Sequence, residues 1–309
     1  MTKQDLRIIF LGTPDFATAS LRALVEGGYN VVAAVTMPDK PAGRGHQLQF
    51  SDVKKYALSV GIPVLQPEKL KDESFIEQLR SYKADLQIVV AFRMLPEIVW
   101  SMPRLGTFNL HGSLLPQYRG AAPINWAVIN GEKSTGVTTF MLKHEIDTGN
   151  ILLQESTPIE ENENVGSVYD RLMQIGQTLV TRTVDLIIES ENNATPIPTI
   201  PQTETDKLKP APKLFKDTCE IHFDQLTATE VKNFVRGLSP YPAAWCNITI
   251  SGQAFENVKI HAVEVLDANQ TTSNKDIIIP CKEGAVRIIE LQVPGKKRME
   301  AKAFLNGLH

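Results

Sequence analysis

Short apolar runs alternate with helix-length amphipathic patterns through the first two-thirds of the chain, and this alternation limits the fold more than any other feature of the sequence. Residues 7–11, 30–36, 63–66, 86–92 and 107–110 read as strands. Helical patterns lie between them. One opens at Gly12-Thr-Pro14 with proline in its first turn, one runs from a capping Ser51 through Val60, and one covers residues 72–82. The run 86–92 is apolar but for Gln87, as expected of a parallel strand covered on both faces. Proline and glycine make residues 37–50 a long turn-rich loop. Farther on, 121–129 looks helical, 136–142 and 151–153 look like strands, and 165–191 form a long amphipathic helix. This β-α order predicts an α/β domain built on a doubly wound, mostly parallel sheet.

The composition changes near Asn193. Pro196, Pro198, Pro201, Pro210 and Pro212 punctuate a stretch too rich in proline for a helix or an inner strand, so it reads as an extended linker. Beyond it, residues 220–223, 245–250, 258–265, 276–280 and 285–293 look like short strands and 229–238 like one helix, which predicts a small β-barrel. The expected organisation is a catalytic domain over 1–192, a proline-rich linker over 193–213 and a β-barrel domain over 214–309, in keeping with a length of 309 residues. No stretch reaches the ~18 apolar residues of a membrane span, and a cytoplasmic, monomeric protein without membrane contact is expected. The three cysteines are far apart and form no CxxC pair, so neither a disulfide framework nor a cysteine zinc site is supported. With six histidines and no H-E-x-x-H spacing, no metal is expected.

Chemistry concentrates in Phe108-Asn-Leu-His-Gly-Ser-Leu-Leu-Pro-Gln-Tyr-Arg-Gly120, followed by Asp147-Thr-Gly149. Asn109 and His111 stand at i and i+2 at the end of a strand, so both side chains point to one face. An amide donor beside an imidazole suits acyl chemistry, one group holding an oxyanion and one handling a proton. Other enzyme classes fit less well. In Gly12-Thr-Pro-Asp-Phe-Ala17 the later glycines of a dinucleotide fingerprint are missing, and the ring of Pro14 blocks close approach of a pyrophosphate. Asp147-Thr-Gly149 is also the local signature of an aspartic protease, but that chemistry needs two such carboxylates, and the chain has one. Taken alone, Asp147-Thr-Gly-Asn150 reads as a simple turn between strands.

The combined pattern resembles the 10-formyltetrahydrofolate-dependent formyltransferase family. It rests on Asn109-Leu-His111-Gly-Ser-Leu-Leu-Pro116 with Tyr118-Arg-Gly120 and Asp147-Thr-Gly149. Leu11-Gly-Thr-Pro14, Asp39-Lys-Pro-Ala-Gly-Arg-Gly45, Ala211-Pro-Lys213, Arg236-Gly-Leu-Ser-Pro-Tyr-Pro-Ala-Ala-Trp245 and Gly295-Lys-Lys-Arg-Met299 extend it nearly end to end. The resemblance implies a Rossmann-like catalytic domain and an OB-like second domain. It implies transfer of the formyl group of 10-formyltetrahydrofolate to the α-amine of methionyl initiator tRNA, in translation initiation. Asn109, His111 and Asp147 are the implied catalytic residues. Ser113, Leu114, Leu115 and Pro116 are implied for folate, and Lys40 and Arg44 for tRNA. The chain departs from the family in two places: Phe92-Arg93-Met94 stand where Tyr-Gly is usual, and His46-Gln47 where two lysines are usual. Relatives that share the Asn-His-Asp core formylate a purine-precursor amine or an amino sugar, or hydrolyse formylfolate. The discriminating feature is the second, basic-leaning domain, which gives reach toward a large acceptor. Outside enzymes, a non-catalytic RNA-binding protein has no use for Asn109, His111 and Asp147 together.

Overall fold

The computed structural model of the chain describes residues 1–42, 47–203, 207–266 and 276–308. They fall into two compact units: Met1–Arg119 with Gly136–Ser156 and Arg171–Lys209, and Gly120–Thr135 with Thr157–Asp170 and Pro210–His309.

The first unit is built on a seven-stranded sheet. Its strands are β1 (Ile8–Gly12), β2 (Val31–Val35), β5 (Val64–Leu65), β6 (Leu86–Val90), β7 (Thr107–His111), β8 (Ser134–Met141) and β9 (Ile151–Pro158). A separate two-stranded antiparallel sheet, β3 (Lys40–Ala42) and β4 (Gln47–Gln49), occupies part of the stretch expected to be a loop. Helices α1 (Asp15–Glu26), α2 (Asp52–Ser59), α3 (Glu73–Ser81), α4 (Glu97–Trp100) and most of α6 (Val165–Asn192) belong to this unit, while α5 (Pro123–Ile129), between β7 and β8 in sequence, is counted with the second. Ser51 caps α2 as expected, its hydroxyl accepting from the Lys54 N–H at 3.1 Å.

The sheet order is β5-β2-β1-β6-β7-β8-β9. Parallel pairing runs through β2, β1, β6 and β7, and β8 then joins β7 antiparallel. The chain winds outward from β1 to β5, then crosses to β6 on the other side of β1. That reversal is a topological switch point, and ligands in such sheets sit beyond the carboxyl ends of the strands on either side of it. In register, Gly12 pairs with Val90 and Val90 with Leu110, so the loops after β1, β6 and β7 emerge along one edge. Phe10, Phe108 and Phe140 are fully buried and anchor the sheet. A side chain on Gly176 of α6 would stand 2.8 Å from the Leu110 side chain, which lets the helix lie close on β7.

The second unit carries α7 (Ala228–Leu238) and an antiparallel sheet of β10 (Ala244–Ile250), β11 (Gln253–Val265), β12 (Ile278–Pro280), β13 (Ala285–Gln292) and β14 (Met299–Glu300), followed by α8 (Ala301–Asn306). The sheet curls into a half-barrel with the order β10-β11-β13-β12, β14 pairing β13, in line with the small β-barrel expected. Irregular register within β10–β11 and β11–β13 lets the long β11 bend. A capping box starts α7: Thr227 accepts from the Glu230 N–H, and the Glu230 carboxylate accepts from the Thr227 N–H. No strand forms at residues 220–223. A 3-10 turn, Asp217–Cys219, precedes them, Glu220 bridges Trp245, and Phe223 O accepts from the Lys282 N–H at 2.8 Å. Among the described residues no helix is long and apolar enough to cross a membrane.

Cys246 on β10 is 2% exposed inside this core, and burial pushes its thiol up to about 12. The folded state therefore favours the neutral thiol. That contribution to stability is complete below the ordinary thiol pKa and is lost as pH rises toward the folded value. Iodoacetamide at pH 8 should leave Cys246 unmodified in the native protein and alkylate it after denaturation. Mass mapping of the alkylated peptide checks this, and rapid native labelling would contradict the burial.

Candidate active site

Asn109 and His111 occupy the third and last positions of β7, and the strand's alternation sends both toward one face of the sheet. Asn109 pairs in register with Val89, and Val89 with Leu11, so these side chains share that face. Phe108 and Leu110 point the other way. Asn109 is half-buried, and no described residue takes its side-chain amide in a hydrogen bond. A donor left unpaired at the carboxyl edge of a sheet is available to a ligand.

His111 is 6% exposed. Its Nε2 lies 2.8 Å from the Tyr118 carbonyl oxygen. A backbone carbonyl only accepts, so Nε2 carries a hydrogen in this arrangement and Nδ1 is the nitrogen left for chemistry. Nδ1 faces the Asp147 carboxylate, 3.9 Å from Oδ2. That is ion-pair range and too long for a direct hydrogen bond. The Phe140 ring meets the imidazole edge-on at 6.4 Å between centroids.

Asp147 sits in the β8–β9 connection with φ +54°, in the left-handed region that non-glycine residues adopt only when neighbours hold them there. The loop is closed by the Met141 N–H donating to Asn150 O at 2.9 Å. Gly149 passes so close to β8 that an added Cβ would stand 1.6 Å from the Met141 carbonyl oxygen. The loop's path therefore depends on glycine at that position.

The segment after β7 is fixed by its own polar groups. Ser113, fully buried, donates its hydroxyl to Gln117 O at 2.6 Å. Thr138 of β8 donates to Ser113 O at 2.6 Å and accepts from the Leu115 N–H at 3.1 Å. Gln154 of β9 donates to Leu115 O at 2.8 Å and to the Thr138 hydroxyl at 2.9 Å. Leu115 packs inward against Phe140 and Ile151. Leu114 and Pro116 remain half-buried and present apolar surface. Sequence reasoning missed Thr138 and Gln154. Each looks like an ordinary alternating polar residue of a strand, and only the fold brings them to this turn.

The departure at Phe92-Arg93-Met94 has a structural account. Arg93 turns its guanidinium onto the Pro67 and Glu68 carbonyls, bonding Glu68 O at 2.7 Å. Burial lowers its pKa. Met94 is left 72% exposed. Lys40 opens β3, but its side chain and the whole of Arg44 lie outside the described residues. The base of that two-stranded sheet is held by Asp39, which accepts from Lys54 and, at 2.8 Å, from Gln66 Nε2; these bonds hold its carboxyl below the usual range.

The formyl transferase family model matches residues 6–184, and the formyl transferase C-terminal domain model matches residues 213–309. A methionyl-tRNA formyltransferase of Bacteroides fragilis is 56% identical over 100% of this chain and 97% of its own. One of Parabacteroides distasonis is 58% identical over 99% of this chain and 97% of its own. Among solved structures, HypX from Aquifex aeolicus in complex with tetrahydrofolic acid superposes with a TM-score of 0.62 at 18% identity. That match covers 97% of this chain and 47% of that one, and it speaks to fold alone. Matched along both its parts and nearly end to end, the chain belongs to the formyl transferase family.

Proposed function

We propose that Asn109, His111 and Asp147 form the catalytic centre of an enzyme that transfers the formyl group of 10-formyltetrahydrofolate to the α-amino group of methionyl initiator tRNA, in keeping with relatives named methionyl-tRNA formyltransferase. The observation that supports it best is the pairing of His111 Nδ1 and Asp147 Oδ2 at 3.9 Å beside an Asn109 amide that no described residue occupies. The folate supplies the formyl carbon and leaves as tetrahydrofolate, its N10 gaining the proton that the amine loses.

Each residue has a role that its position explains. Asn109 Nδ2 donates to the formyl oxygen as charge develops there. His111, with Nε2–H held by Tyr118 O, takes the amine proton on Nδ1 and returns it to the leaving nitrogen. Asp147 faces the imidazolium formed in that step and orients the ring. Leu114 and Pro116 offer apolar contact to the flat pterin, while Ser113 and Leu115 hold the segment's shape. Lys40 and Arg44 neutralise phosphates at the acceptor end of the tRNA. Residues 1–192 carry out the chemistry, 193–213 join the parts, and 214–309 add tRNA contact. The enzyme works as a monomer in the cytoplasm, where charged initiator tRNA is consumed.

The test is a choice of acceptor. The enzyme is given 10-formyltetrahydrofolate with charged initiator tRNA and, separately, with a nucleotide-linked amino sugar. Formylmethionyl-tRNA should form and the sugar should remain unmodified. Formylation of the sugar alone overturns the reading.

A further inference from the structure

Gln202 lies in the proline-rich stretch that the sequence presents as a linker, yet it is tied into the catalytic unit. Its Nε2 donates to the Asp147 carbonyl and to the Gly149 carbonyl, each at 2.8 Å. Its Oε1 accepts from Arg119 Nε at 3.1 Å and Nη2 at 2.8 Å. The orientation of the amide follows from its partners, because a guanidinium only donates and a backbone carbonyl only accepts. Both hydrogens and both lone pairs of the amide are thus used. The neighbouring chain is stitched down as well. Ile200 and Ile151 exchange two backbone bonds of 2.8 Å, and the Tyr118 N–H donates to Lys209 O at 2.7 Å. Tyr118 is the residue whose carbonyl holds His111. Gln202 therefore braces the loop that carries Asp147, and Lys209 the turn that orients His111.

We propose that Gln202 is a positioning residue for formyl transfer: its amide clamps the Asp147–Gly149 loop, with Arg119 as the buttress, and so sets the carboxylate opposite His111 Nδ1. The inference rests on the functional reading above. Asp147 holds a left-handed φ of +54°, a conformation that needs outside support, and Gln202 supplies two bonds to that loop. Glutamine is the side chain the place requires. Glutamate keeps the length and the acceptor for Arg119 but brings no hydrogen to the two carbonyls.

Gln202→Glu, Gln202→Ala and an Asp147→Asn reference are compared with the wild type in the full-length protein. Both Gln202 variants should lose about 10–100-fold in kcat, the scale of a displaced catalytic group. The KM for folate and for tRNA should stay within roughly twofold, since no ground-state contact is removed. The His111 ring resonances in NMR spectra should shift in the direction seen for Asp147→Asn, and thermal melts should show each variant folded at the assay temperature. A kcat within threefold of wild type, unmoved His111 resonances, or a loss confined to KM overturns the clamp. So does a loss that merely follows unfolding. Were the wild type to transfer no formyl group, the functional reading would fall, while the His111 resonances would still decide the clamp.

Discussion

Asn109→Ala should lower kcat by about two to three decades, equivalent to about 3–4 kcal/mol of barrier, the typical worth of one oxyanion donor. The size follows from where the amide stands. Asn109 is half-buried on β7, its backbone locked in register between Val89 and Phe140, and its side chain has no partner among the described residues. Its backbone position is fixed before substrate arrives, so the amide is delivered to the sheet edge without movement of the strand. Because the charge it meets develops only in the transition state, KM should hardly change. Asn109→Asp should lose as much, for it keeps the shape and places an acceptor where a donor is required. Single-turnover transfer rates, measured beside thermal melts, read the effect. A loss of less than tenfold on the chemical step would remove Asn109 from the mechanism.

Gly149→Ala should be nearly as costly, by a different route. The added methyl would stand 1.6 Å from the Met141 carbonyl oxygen and 3.3 Å from the Phe140 ring. Met141 cannot yield, since it ends β8 and its N–H is bonded to Asn150 O at 2.9 Å. The loop must move instead, and Asp147 moves with it. Overpacking of this kind costs about 1–3 kcal/mol, a fall in Tm of roughly 2–4 °C per kcal/mol for a unit of this size. A displacement of about 1 Å at a catalytic group can cost about a hundredfold in rate. The expected result is a folded, less stable protein with kcat down by about two decades. Wild-type turnover in this variant would show that the position of Asp147 is not critical.

Much of this site could be read from the sequence because its chemistry is local. Asn109 and His111 share a face by strand alternation alone, and Gly12-Thr-Pro14 lies at the carboxyl edge because β1 ends there. The sheet was legible for the same reason: five-residue apolar strands alternating with capped helices leave few other folds. What escaped were pairings set by long-range contact. Residues 37–50 carry prolines and glycines that hide the two-stranded sheet of β3 and β4. The stretch 220–223 has strand-like residues but makes isolated contacts rather than a ladder: a bridge from Glu220 to Trp245, the Ile221 N–H on Trp245 O and the Lys282 N–H on Phe223 O. Helix α8 buries Ala301, Phe304 and Leu305 at helical spacing, a signal too short to stand out in six residues. Thr138, Gln154 and Gln202 lie 27 to 91 positions from His111 by sequence number, and nothing in their local pattern marks them. The small β-barrel itself was legible in its short strands; the irregular register that lets β11 bend is encoded by no alternation of side chains.

The most direct test follows the formyl group itself. The enzyme is loaded with 10-formyltetrahydrofolate labelled with carbon-14 in the formyl carbon and mixed with charged initiator tRNA for a single turnover. The label should appear on the methionyl amine in step with release of tetrahydrofolate, and Asn109→Ala should slow both together. Label released as formate, or tetrahydrofolate freed without formylation of the amine, would contradict this mechanism.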